Sequence, residues 1–130
     1  MIVINKNSIN KIALTLTEKS QLTGTKYNLF VFENAESGEQ KIFSASDLSL
    51  YKNRYNEFEI IESATTENLL TGIIHMTGNT SQWNYSVYES ASSFSSNTLS
   101  ITATTGTILE TGRVLLKGIE SDNTINSVYL

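Results

Sequence analysis

Hydrophobic and polar residues alternate in short runs along most of this chain, and the clearest run is Ser81-Gln-Trp-Asn-Tyr-Ser-Val-Tyr-Glu-Ser90. Read with period two, Trp83, Tyr85 and Val87 point one way, and Asn84, Ser86 and Tyr88 point the other. Large apolar groups alternating with smaller polar ones describe a strand with one face on a core and one near water. The turn-rich run Thr77-Gly-Asn-Thr-Ser-Gln82 leads into it, and we take this strand as the centre of an all-β domain.

The same period recurs before and after it. Ile2 to Ile4 is a short apolar start, and Asn5 to Asn10 reads as a turn. Lys11 to Thr17 follows as a strand with Ile12, Leu14 and Leu16 inward. Tyr27 to Glu33 carries bulky residues on both faces, Tyr27, Leu29 and Val31 against Phe30 and Phe32. A strand of that kind is central in a sandwich or lies under a loop or partner chain. Asn34 to Glu39 is a hairpin connection with Gly38 available for positive φ, and Lys41 to Ser44 is the returning strand. Ala45 to Tyr51 has room for one helical turn capped at Ser46-Asp47. Glu57 to Glu62 is a strand with Phe58 and Ile60 inward. Leu69 to Met76 is another, with Gly72 marking a bulge or a close backbone approach. Residues 91–106 read as a protruding loop with Leu99 and Ile101 as anchors. Thr107 to Lys117 is the last strand, with Val114 and Leu116 on one face, and residues 119–130 form a C-terminal tail. The sum is a single domain over 1–130 of about seven to eight short strands, an immunoglobulin-like β-sandwich; a jelly roll or a small barrel are the alternatives.

Composition removes several classes of function. The net charge of −4, with 17% charged residues, gives no basic footprint for nucleic acid and disfavours anionic membranes. Cysteine is absent, which removes disulfides, thiolate zinc sites and thiol nucleophiles. The N-terminus lacks a basic stretch followed by a long apolar run, so no signal peptide is expected. Proline is also absent, while Ser, Thr and Asn, which suit pleated surfaces and turns, are abundant.

Candidate chemistry is sparse. His75 is the sole histidine and has neither a second histidine nor a cysteine to pair with; the plain reading is a strand residue, tucked or exposed. Glu57, Glu59 and Glu62 form an acidic cluster of the kind that glycosidases or calcium sites use, but a solvated strand face accounts for it more simply. No Gly-x-Ser-x-Gly elbow and no phosphate-cradling glycine loop occurs. No catalytic, metal or cofactor residues are therefore assigned. Trp83, Tyr85 and Tyr88 have the chemistry of a sugar-binding platform; the simpler account makes Trp83 and Tyr85 core, with the Tyr85 hydroxyl in a tyrosine-corner contact. Residues expected to meet a partner protein are Phe30, Phe32, Tyr88, Phe94, Leu99, Ile101, Val128 and Tyr129.

Six segments in order, Met1-Ile-Val-Ile-Asn5, Ala13-Leu-Thr-Leu-Thr-Glu18, Asn28-Leu-Phe-Val-Phe-Glu-Asn34, Lys52-Asn-Arg-Tyr-Asn-Glu-Phe58, Trp83-Asn-Tyr-Ser-Val-Tyr-Glu89 and Gly112-Arg-Val-Leu-Leu-Lys-Gly118, together resemble small virion proteins of tailed phages infecting Bacteroidetes, including the crAss-like group. The likeness spans most of the chain and its motifs are structural. It implies a non-enzymatic β-sandwich subunit of the virion, assembled in the host cytoplasm. The leading expectation is a capsid auxiliary (decoration) protein on the major capsid shell, present in many copies or as a homo-oligomer. A tail, collar or head-fibre attachment subunit is the alternative within the particle, and a carbohydrate- or cell-surface-binding module the alternative outside it. The absence of proline and the low charge leave sheet edges unprotected, as expected of a chain whose edges are covered by neighbours.

Overall fold

The computed structural model describes residues 1–20, 22–23, 26–51 and 54–118. They form eight strands: β1 (Ile2–Asn5), β2 (Ile9–Leu14), β3 (Tyr27–Asn34), β4 (Gln40–Ala45), β5 (Asn56–Glu62), β6 (Ile73–Ile74), β7 (Ser81–Ser90) and β8 (Ile108–Lys117). The fold is all-β, in two sheets. One has five strands in the order β1-β8-β7-β3-β4, the other three in the order β2-β5-β6. The strand built on Trp83 is thus the middle strand of the larger sheet, with β3 and β8 antiparallel on its two sides.

Period-two patterning accounts for the burial. Trp83, Tyr85 and Val87 enter the core between the sheets, together with Phe30 and Phe32 of β3, Val114 and Leu116 of β8, and Phe58 and Ile60 of β5. Phe30 stacks on Phe43 with ring centroids 5.2 Å apart and meets Phe58, from the opposite sheet, edge to face at 4.9 Å. Each fully buried side chain of this size contributes about 1.5–3 kcal/mol. The other face of β3 is covered too: Leu29 and Val31 form a second cluster with Tyr88, against which Ile42, Phe94, Leu99 and Ile101 pack.

Several sequence expectations are corrected. Phe30 and Phe32 are fully buried core residues, so they cannot meet a partner; β3 has bulky residues on both faces because both faces are covered from within the chain. The segment 91–106 does not project from the body but folds back over the outer face of the large sheet, because Phe94, Leu99 and Ile101 have Leu29, Val31 and Tyr88 to cover. Ala45 to Tyr51 contains no helical turn; Asp47 instead accepts the backbone N–H groups of Ser49 and Glu57, at 3.0 and 3.1 Å, and the side chain of Asn56 at 2.7 Å, which ties an extended loop to β5. Of Leu69 to Met76 only Ile73–Ile74 is strand. Gly72 does mark a close approach: at φ +78° its α-carbon faces the Glu59 carbonyl, which a Cβ would meet at 3.0 Å.

The two sheets are joined on one side and apart on the other. On the joined side, the segment between β5 and β7 bridges them. Ser44 N–H of β4 donates to Leu69 O at 2.7 Å, and Ile61 N–H of β5 donates to Gly72 O at 2.9 Å. On the opposite side, β1 ends the large sheet and β2 ends the small one. These edges are tied together beside the Lys6–Ser8 turn, where Asn5 N–H donates to the Asn10 side chain at 2.9 Å and Asn10 Nδ2 returns a bond to Asn5 O at 3.2 Å. Asn7 takes the turn at φ +55°, a conformation asparagine tolerates better than most residues.

Candidate functional site

The open side is a groove of about 700 Å³, with Val3 on one bank, Lys11, Ala13 and Thr15 on the other, and Tyr85, Lys19 and Glu110 at its floor and mouth. The register fixes what its edges offer. Lys6 N–H donates to Lys117 O while Asn5 N–H faces Asn10. Alternation along a parallel strand then turns Ile2 and Ile4 to β8, and the N–H and C=O of Val3 to the groove. On β2, Glu62 N–H donates to Ser8 O at 3.0 Å. The even-numbered residues therefore share bonds with β5, and Lys11 and Ala13 direct their backbone groups outward. The side chains of Met1 and Val3, which line the groove, are exposed. At the mouth, the Tyr85 hydroxyl donates to Glu110 Oε2 at 2.8 Å and Lys19 Nζ to Glu110 Oε1 at 3.1 Å. Burial and the adjacent carboxylate both raise the Tyr85 phenol far above its ordinary value of 10.0. The contact is to a side chain and not to backbone, so it differs from the expected tyrosine corner.

A second cluster sits where the Lys6–Ser8 turn approaches the segment before β7. Glu62 shares the inward face of β5 with Phe58 and Ile60 and is fully buried, not part of a solvated acidic face. Its carboxylate accepts Asn7 N–H at 3.0 Å and Met76 N–H at 2.9 Å. His75 Nδ1 lies 3.3 Å from Glu62 Oε2, within ion-pair distance, yet it makes no hydrogen bond. His75 N–H donates to Glu67 Oε2, which also pairs with Lys41 at 2.8 Å. Burial works to raise the Glu67 carboxyl, but the bonds from Lys41 and the His75 amide outweigh it and hold the carboxyl below its ordinary 4.5. Among the described residues no set of three acidic or imidazole groups converges as a metal site. The bonds of Glu62 and Glu67 all tie one strand or loop to another.

Of the residues expected to meet a partner, the fold brings Tyr88, Phe94, Leu99 and Ile101 together, as a loop packed on its own sheet. Phe30 and Phe32 are in the core. Val128 and Tyr129 lie outside the described residues. The platform imagined for a sugar is not presented: Trp83 is 0% exposed, Tyr85 6% and Tyr88 8%. Sequence reasoning did not single out Val3, Lys11 and Ala13. The alternation of β1 and β2 carried their exposure, but only the sheet order reveals that both strands are edges. Comparison with family models, with curated proteins and with solved structures finds no match for this chain.

Proposed function

We propose that this chain is a non-enzymatic structural subunit of a tailed-phage virion, an auxiliary (decoration) protein bound on the major capsid shell. The observation that carries the reading is the pair of bare edges, β1 and β2, facing one groove. Lone edge strands recruit other strands, and natural monomers blunt them with proline, charge (lysine above all) or bulges; here Lys11 is the one charge on the groove-facing stretch of β2, Val3 and Ala13 stand beside it, and proline is absent. The exposed Leu48, Leu50 and Tyr51, on the loop that Asp47 anchors, add a second apolar surface of the kind that marks contact sites. The resemblance of six segments to phage virion proteins is what suggests that lineage. Within the particle, attachment at the tail, collar or fibre base would use the same edges.

The finer fold assignment, an immunoglobulin-like sandwich, belongs to this proposal. The order β8-β7-β3-β4 parallels strands G, F, C and C′ of a variable-type domain, and the β2–β5 pair parallels B and E. Two features depart from that pattern. β6 follows β5 and pairs parallel to it, where strand D would precede E and pair antiparallel. The buried tryptophan lies on β7, the F position, where immunoglobulin domains carry theirs on C.

Co-sedimentation of the purified chain with phage heads that lack it, and separately with tails, tests the function. Saturable binding to heads at a stoichiometry set by the capsid lattice is the expected result. Binding to tails alone moves the subunit to the tail. A monomer that ignores both and turns over a small molecule overturns the proposal.

A further inference from the structure

We infer that the groove between β1 and β2 is the docking site for residues 119–130 of a second copy of this chain, which add there as an extended strand. The inference deepens the assembly reading above by naming how copies join. Val3 on one bank and Lys11 and Ala13 on the other turn backbone donors and acceptors into the same gap, and an extended chain can pair with both banks. The gap is laced shut by Asn5 and Asn10 at the turn end, which gives an added strand a stop there.

The segment after Gly118 has the matching chemistry. Ile119-Glu-Ser-Asp-Asn-Thr-Ile-Asn-Ser-Val-Tyr-Leu130 lacks proline, so every residue has an N–H to donate. Ile125, Val128, Tyr129 and Leu130 supply apolar side chains for a groove bordered by Met1 and Val3, and Glu120 and Asp122 supply charge opposite to Lys11. Extended, the segment reaches about 40 Å, against roughly 20 Å for a strand the length of β2. The path favours a neighbour's groove over its own. Gly118 N–H is held by Thr80 Oγ1 at 3.2 Å, and its α-carbon lies against Asn79, on the β7 side of β8. The chain's own groove lies beyond β1 on the other side, so its own segment would have to cross both β8 and β1.

Sedimentation of the full chain and of a variant ending at Gly118, with amide exchange read at Val3, Lys11 and Ala13, tests this. The full chain should self-associate at micromolar concentration. The shortened chain should be a monomer whose three groove amides exchange roughly tenfold faster or more, and a synthetic peptide of residues 119–130 should restore their protection without restoring association. Ala13→Pro in the full chain, which removes one groove-facing donor and leaves the β2–β5 bonds in place, should weaken association and guards against a truncation that fails to fold. Association unchanged by truncation overturns the inference. So does a full-length monomer, either with freely exchanging groove amides or with amides protected at every concentration, the latter placing the chain's own segment in the groove. A shortened monomer that still binds phage heads leaves the virion reading standing, so the two proposals fail separately.

Discussion

The carboxylate of Glu62, buried at the inner face of β5, holds the β1–β2 turn through Asn7 N–H and the segment before β7 through Met76 N–H. His75 Nδ1 stands 3.3 Å from the same Oε2. One side chain therefore holds together the end of the fold where these two connections meet. Replacing it with alanine leaves the buried Met76 N–H without an acceptor, while the Asn7 N–H, on an exposed turn, can turn to water. Loss of a buried bond of this kind costs about 1–3 kcal/mol, so Glu62→Ala should lower stability in urea by about that amount, and Glu62→Gln, which keeps one acceptor oxygen, by clearly less. A double-mutant cycle with His75→Ala then reads how much of the loss the imidazole shares.

Glycines 72 and 78 separate strain from crowding. Both have φ near +80°, but a Cβ at Gly72 would sit 3.0 Å from the Glu59 carbonyl oxygen and 3.2 Å from Ala45 Cβ, while a Cβ at Gly78 meets nothing within 4 Å. The left-handed conformation alone costs an alanine about 1–2 kcal/mol. Gly78→Ala should lose about that amount. Gly72→Ala should lose at least about 1 kcal/mol more, because the Glu59 carbonyl belongs to β5 and has no room to yield. Equal losses for the two would remove crowding from the account.

Gly112 is paired with Tyr85 across β7 and β8, and a Cβ there would lie 2.6 Å from the Tyr85 ring. Gly112→Ala should therefore displace the ring and break its bond to Glu110. Spectrophotometric titration in base should detect this. In the native chain the Tyr85 phenol stays protonated above its ordinary 10.0. A raised folded value means that its stabilising effect is full below 10.0 and is lost as pH climbs through the folded value. Tyr85→Phe keeps the burial and loses the hydrogen bond, at about 1 kcal/mol, and should abolish that part of the alkaline dependence.

Glu67 sets the acid side. Its carboxyl is held below 4.5, so the stability it contributes is complete above 4.5 and is lost as pH falls through the depressed value. Glu67 and Lys41 are partly exposed, so the pair is worth no more than about 1 kcal/mol. Glu67→Gln should be slightly less stable than the native chain at neutral pH, and the two should converge as acid is added. A gap that widens in acid would contradict the assignment.

The loop over the outer face should behave as a cover. Leu99→Ser with Ile101→Ser removes two of its anchors on Leu29, Val31 and Tyr88. The variant should gain dye-binding apolar surface and become cleavable between residues 91 and 106, with a loss of about 1–3 kcal/mol. A loop that is cut as readily in the native chain would mean that the cover is not held.

Much of this protein is legible without its structure, and the reason is local. Side chains alternate with period two whatever the strand's neighbours are, so Trp83, Tyr85 and Val87, Ile12 and Leu14, Phe58 and Ile60, and Val114 and Leu116 declare their inward faces by spacing alone, and Gly38 declares its turn. What spacing does not carry is adjacency. That both faces of β3 are covered was readable from Leu29, Phe30, Val31 and Phe32; that the chain itself covers them, with Phe94, Leu99 and Ile101 on one side and Phe58 of the opposite sheet on the other, was not. Glu62 has the parity of Phe58 and Ile60, but a carboxylate is buried only where donors such as Asn7 and Met76 converge on it, and those lie on other strands and turns. The pattern of β1 and β2 likewise tells which side chains face out. Their standing as the two bare edges of one groove follows from sheet order, which arises from pairings between distant residues.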